Sequence, residues 1–207
     1  DFMASNELLN KAHPLKAMLA LTIPSMFAQF VNILYGVVDK LFIANMQSGS
    51  GLALAGVGIC APITTLITSF TYLICQGASP LFATRLGQKD YDDAKKIMAN
   101  SFLLLVIITV VLMLVFLIFK KPLLYSFGAT PNNFEYASDY ITIYVLGTFF
   151  CLMSLGLNSF ITCQGKSTRA MVTVIIGALT NILLDYIFIF PFNMEVKGAA
   201  LATIIAQ

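Results

Sequence analysis

FLLLVIITVVLMLVFLIF, residues 102–119, is a run of eighteen residues with one Thr and no charge. About 20 apolar residues in a helix cross the roughly 30 Å hydrocarbon core of a bilayer, so this run reads as a membrane span. The rest of the chain has the same character. Of 207 residues, 58% are hydrophobic and 11% charged, and the mean hydropathy is +0.86. Soluble domains carry about 25% charged residues. The fold class is therefore all-α integral membrane.

Composition also excludes function classes. A net charge of +2 with no basic cluster speaks against nucleic acid as a partner. Cys60, Cys75, Cys151 and Cys163 fall in apolar segments without CxxC spacing, which reads as buried, inert thiols. His13 stands alone near the N-terminus and makes no metal site. No HExxH, GxSxG, GxGD or phosphate-loop motif occurs, so neither an enzyme nor an organic cofactor is expected.

Working outward from residues 102–119, the pattern predicts six helices, over 15–44, 52–86, 96–119, 134–163, 170–190 and 197–207. Gly and Ser break the chain at Asn45–Gly51, and Pro122, Gly128 and Pro131 punctuate the third connection. The first apolar run is longer than the core of a secretory signal and reads as a span. From Val196 to Gln207 a helix covers about 18 Å, short of a bilayer core, so the expectation is a piece of a longer protein. Lys11, Lys16, Arg85, Lys89, Lys95, Lys96, Lys166 and Arg169 fall on one side, and Lys40, Lys120, Lys121 and Lys197 on the other. Eight against four predicts a cytoplasmic N-terminus in a multi-pass protein of the cell membrane.

Two acids lie deep in predicted spans, Asp39 in the first helix and Asp185 in the fifth. An Asp at a helix centre costs about 2.5–3.5 kcal/mol on insertion scales, and such acids usually mark ion or substrate pathways. Asp39 is six residues before Asn45, and Asp185 six before Pro191. Both are then about 9 Å below the same end of the bundle. Thr203, on the returning sixth helix, reaches a similar depth. Polar stripes share these faces: Gln29, Asn32, Tyr35 and Asp39 in the first helix; Tyr140, Tyr144, Gly147, Ser154 and Asn158 in the fourth; Thr173, Gly177, Asn181 and Asp185 in the fifth. Interhelical hydrogen bonding accounts for such stripes at about 0.6 kcal/mol per pair. It does not account for the carboxylates, since Asn or Thr would serve as well. The acids could hold a proton or, with Asn181 and Thr203, ligate Na⁺. The residues alone do not choose between these.

The segments IPSMFAQFVNILYGVVDKLFIA, GVGICAPI, GASPLFATRLGQKDYDDAKK, QGKSTRAM, GALTNILLDYIFIF and VKGAALATIIAQ occur in this order. Together they make the chain resemble the N-terminal half of the multidrug and toxic compound extrusion (MATE) family. The closest wording is that of the bacterial drug-exporter branch, where a basic residue, here Lys40, follows the first-helix Asp. The resemblance implies one six-helix lobe of a twelve-helix, two-lobe antiporter, with the C-terminal lobe as partner. It implies export of cationic drugs or toxic compounds in exchange for H⁺ or Na⁺. The family's cation site carries over onto Asp39, Asn181, Asp185 and Thr203, and a first-helix proline proposed to bend falls on Pro24. Gln29, Asn32, Tyr35, Tyr140, Tyr144 and Asn158 are candidates to line the substrate cavity. Competing readings are a flippase or exporter of lipid-linked saccharide or metabolite, and a non-transporting receptor or scaffold.

Overall fold

The computed structural model describes residues 14–46 and 49–207, and Lys11 and His13 lie outside the described residues. Seven helices follow one another: α1 Pro14–Ala44, α2 Ser50–Gly87, α3 Tyr91–Ile118, α4 Lys120–Ser126, α5 Phe134–Cys163, α6 Ser167–Ile189 and α7 Glu195–Ala206. No strand occurs among the described residues. Five helices, α1, α2, α3, α5 and α6, are long and apolar enough to cross a membrane. Their outer faces carry large apolar side chains such as Met26, Leu73 and Ile118, each about two-thirds exposed or more. Water would penalise such faces, whereas lipid tails solvate them.

Local chemistry moves several helix ends from where hydropathy puts them. α3 begins at Tyr91, five residues before Lys96, because Asp90 caps it by accepting the Asp93 N–H at 3.2 Å. Asp92 and Asp93 in its first turn also suit the positive end of the helix dipole. α6 begins at Ser167, three residues before Ala170, directly after Gly165 turns the chain with φ +76°. α7 begins at Glu195, two residues before Lys197. The connection KKPLLYS is itself helical, as α4. Pro122 sits in its first turn, where an N–H has no intrahelical partner to lose. Leu124 buries α4 in the core, and Tyr125 stacks on Phe134 with centroids 5.1 Å apart.

α5 is the hub, packed against α2, α3, α6 and α7. Small residues make the approaches close. A Cβ on Gly56 of α2 would stand 3.0 Å from the Ala137 nitrogen and 3.1 Å from the Asn133 carbonyl of the α5 entry. Beside it the Cys60 thiol donates to the Ala137 carbonyl at 3.3 Å. Gly147 accommodates Ile204 of α7, and Gly156 accommodates Leu105 of α3. Lys197 pairs with Asp139 at 3.2 Å, tying the start of α7 to the start of α5. α1 lies at the edge, packed along α6 with little contact to α2. The Ser167 hydroxyl reaches across to the Ala20 carbonyl at 3.4 Å and pins the two helices near the start of α6.

Candidate functional site

Asp39 on α1 and the pair Asn181 and Asp185 on α6 meet where these two helices pack. Spacing by four puts Asn181 and Asp185 on one side of α6. Relative exposure is 8% for Asp39, 1% for Asn181 and 0% for Asp185. Among the described residues, Asp39 Oδ1, both carboxylate oxygens of Asp185 and both amide heavy atoms of Asn181 have no hydrogen-bond partner. Each buried, unsatisfied group costs about 1–3 kcal/mol, more when charged. Native proteins leave few such groups, and five such atoms on three side chains mark this place as a candidate site.

The donor set consists of carboxylate and amide oxygens, hard ligands that suit a proton or an alkali cation. Among the described residues no three His, Cys, Asp or Glu side chains cluster as transition-metal ligands usually do. Thr203 is half-buried on α7, and its hydroxyl donates to the Ala199 carbonyl at 3.0 Å. It shares a cavity wall with Asn181, whereas Asp39 and Asp185 lie off that wall.

That cavity has a volume of about 370 Å³. Gln29, Asn32 and Tyr35 of α1 and Asn158 of α5 line it. Asn158 Nδ2 donates to the Ala170 carbonyl at 3.2 Å and to Thr173 Oγ1 at 3.0 Å, which joins α5 to α6. Tyr140 and Tyr144 do not line the cavity. They belong to the buried core, their rings stacked at 6.2 Å. Tyr140, Tyr144, Ser154 and Asn158 occupy one stripe of α5, but α7 packs over its first half, where Ile204 meets Gly147. The two tyrosines are therefore covered, while Ser154 and Asn158 further along face open space. Pro24 lies inside the continuous helix α1, one residue before Ser25, which lines the cavity.

The reading of the sequence passed over one group, Tyr72, Gln76 and Ser79 of α2, which form the facing wall. Their spacing of four and three within an apolar helix is the same signal that marked α1. Ser79 is 3% exposed, and its hydroxyl has no partner among the described residues.

Comparison with known proteins places this architecture. Residues 24–187 match the MatE family. The chain is similar to the multidrug export protein MepA of Staphylococcus haemolyticus (strain JCSC1435), 26% identical over 192 residues that make up 93% of this chain and 42% of that protein. It superposes on an outward-facing multidrug resistance transporter of the MATE family with a TM-score of 0.87 and 30% identity, covering 96% of this chain and 44% of that one. A MATE structure in a bent conformation gives a TM-score of 0.85 at 30% identity, over 93% of this chain and 42% of the other. The chain spans less than half the length of each of these proteins.

Proposed function

The chain belongs to the MatE family, and from that premise we propose that it is the ion-binding lobe of a secondary antiporter. The whole protein exports drugs or other toxic small compounds, organic cations among them, in exchange for H⁺ or Na⁺. The family consists of transporters rather than enzymes, so the buried acids are read as ion-coupling groups and not as catalytic ones. The observation that carries this reading is the set of uncommitted oxygens on Asp39, Asn181 and Asp185.

An antiporter needs an ion that binds one conformation better than the other, since otherwise binding shifts nothing. A site between α1 and α6 supplies such a difference. Proton or Na⁺ binding satisfies both carboxylates at once and draws α1 against α6, while their release leaves two unpaired charges in a dry interface. Thr203 contributes its hydroxyl oxygen from α7. α1 is the element free to respond, because α6 is its main neighbour. Pro24 removes one backbone donor from α1 and is read as the point where it bends; a bent conformation is described for one solved relative. A second six-helix lobe completes the cleft through which substrate moves. The lysine and arginine distribution orients the N-terminus to the cytoplasm, with the protein in the cell membrane.

The test uses the full-length protein in proteoliposomes, with efflux of a fluorescent cationic dye driven by an imposed H⁺ or Na⁺ gradient. Asp185→Asn is expected to fold and to lose at least nine-tenths of gradient-driven efflux. Folded Asp185→Asn that exports dye at the wild-type rate under the same gradient overturns the coupling role.

A further inference from the structure

The apolar residues 102–119 form a helical stretch about 27 Å long, close to the roughly 30 Å of a hydrocarbon core. Hydrocarbon therefore ends at about Phe119, and the next two side chains, Lys120 and Lys121, stand at headgroup level. The chain turns a corner there. α3 stops at Ile118, Phe119 carries φ −95° and ψ 14°, and α4 sets off at Lys120. Leu123 and Leu124 press α4 onto the core, while Lys121 and Tyr125, four residues apart, share an exposed side. The rings of Phe119, Tyr125 and Phe127 are all exposed around this corner, as aromatic side chains are where hydrocarbon meets headgroups.

The two ends of α3 treat their basic residues differently. At its start three bases meet acids: Arg85 pairs with Asp90 at 3.7 Å, Lys95 with Asp92 at 3.9 Å and Lys96 with Asp93 at 3.0 Å. At its end no acid answers among the described residues. Lys120 Nζ donates to the Thr142 hydroxyl at 3.0 Å, and that hydroxyl passes its own proton to the Ser138 carbonyl. The Lys120 ammonium is thus held in place by a neutral acceptor and keeps further N–H donors to give. Lys121 makes no ion pair among the described residues. Of the acids at the start of α5, Asp139 is held by Lys197 at 3.2 Å, and Glu135 forms no ion pair with either lysine. Two adjacent ammonium groups repel one another, and beside a low-dielectric layer water screens that repulsion poorly. An anion shared between them removes it.

We propose that the corner between α3 and α4 is a binding site for the headgroup phosphate of an anionic phospholipid of the phosphatidylglycerol kind. Lys120, steadied by Thr142, and Lys121 donate to the phosphate oxygens, and the exposed rings beside them face the start of the acyl chains. The occupant is a lipid and not a soluble phosphate, because the lysines stand at the edge of hydrocarbon among exposed apolar rings. A zwitterionic lipid brings an ammonium of its own, which the two lysines repel. The site does not depend on the antiport reading; it fixes the depth of this corner of the lobe in the bilayer.

The experiment is native mass spectrometry of the full-length protein from micelles holding equal amounts of phosphatidylglycerol and phosphatidylcholine, read as the ratio of the two lipids retained. A lysine at a membrane surface strengthens anionic-lipid binding about fivefold. Lys121→Gln is therefore expected to lower phosphatidylglycerol retention about fivefold, and Lys120→Gln/Lys121→Gln about tenfold or more, with phosphatidylcholine unchanged. Both are expected to fold, since Lys121 is exposed and Gln at position 120 can still donate to Thr142. Lys95→Gln/Lys96→Gln removes the same charge from the other end of α3 and is expected to leave the ratio within about twofold of wild type. Equal retention of the two lipids by wild type, an unchanged ratio in Lys120→Gln/Lys121→Gln, or an equal loss in the two double variants overturns the site. Displacement of the lipid by excess glycerol phosphate, the headgroup without its chains, overturns the lipid assignment in favour of a soluble phosphate ester. None of these readouts requires transport, so their failure leaves the antiport reading untouched.

Discussion

α1 and α5 are nearly equal in length, 31 and 30 residues, and both are apolar with a polar stripe. Yet 56% of the most apolar stretch of α5 is buried in the bundle, against 6% of that of α1. The hub gains its position from small residues at the contacts, Gly147 and Gly156 on α5 and Gly56 opposite. α1 has Gly36, around which a Cβ would meet nothing within 4 Å, and large side chains on its outer face. Two helices of similar composition thus serve different ends. α5 holds the lobe together, and α1 carries a buried acid on an element held mainly by α6.

Substitutions should separate these roles. The largest effect is expected where α2 meets α5. In Gly56→Leu the new side chain meets backbone atoms that no rotamer change can move, costing about 3 kcal/mol. Its signature is loss of folded protein on size-exclusion chromatography after membrane extraction, with no variant-specific effect on coupling in what remains folded. On α1 the expected order is reversed. Pro24→Ala restores a helix donor and changes thermal stability by about 1 kcal/mol or less, while slowing gradient-driven efflux severalfold. Equal efflux in Pro24→Ala and wild type would remove bending at Pro24 from the mechanism. The smallest effect belongs to the ion pair at the start of the hub. Lys197 and Asp139 are both partly exposed, so Lys197→Met should shift stability by less than about 1 kcal/mol, read by thermal denaturation. A larger loss would mean that this pair, and not apolar packing, anchors α7.

The two polar regions of the lobe sharpen the contrast. The carboxylate side chains are ionisable and buried, while the cavity beside them has no ionised side chain in its lining among the described residues and is lined by several exposed side chains. Asn181 belongs to both. It therefore borders both the group read as coupling ion to protein and the open cavity. Its amide can respond to the occupancy of either.

Much of this was legible in residues alone. Uninterrupted apolar runs such as residues 102–119 can satisfy their backbone in lipid only within themselves, so the helical membrane class follows from composition. The conjunction of Asp39, Asn181 and Asp185 could be read because depth and face are arithmetic on helical rise and period. The start of α3 was missed because capping by Asp90 is a local hydrogen bond that hydropathy does not register. α4 was missed because seven residues around a proline give no periodicity.

What the sequence could not decide was which part of a polar stripe would be covered. Tyr140, Tyr144, Ser154 and Asn158 share one side of α5, but α7 closes over the first two and leaves the others open. Nor could it assign Ser79 to a cavity instead of a helix contact. A residue's own period fixes which way it points, and that is a local property of the backbone. What it meets there depends on which neighbour comes close enough, and that is set by side chains on other helices distant in the chain.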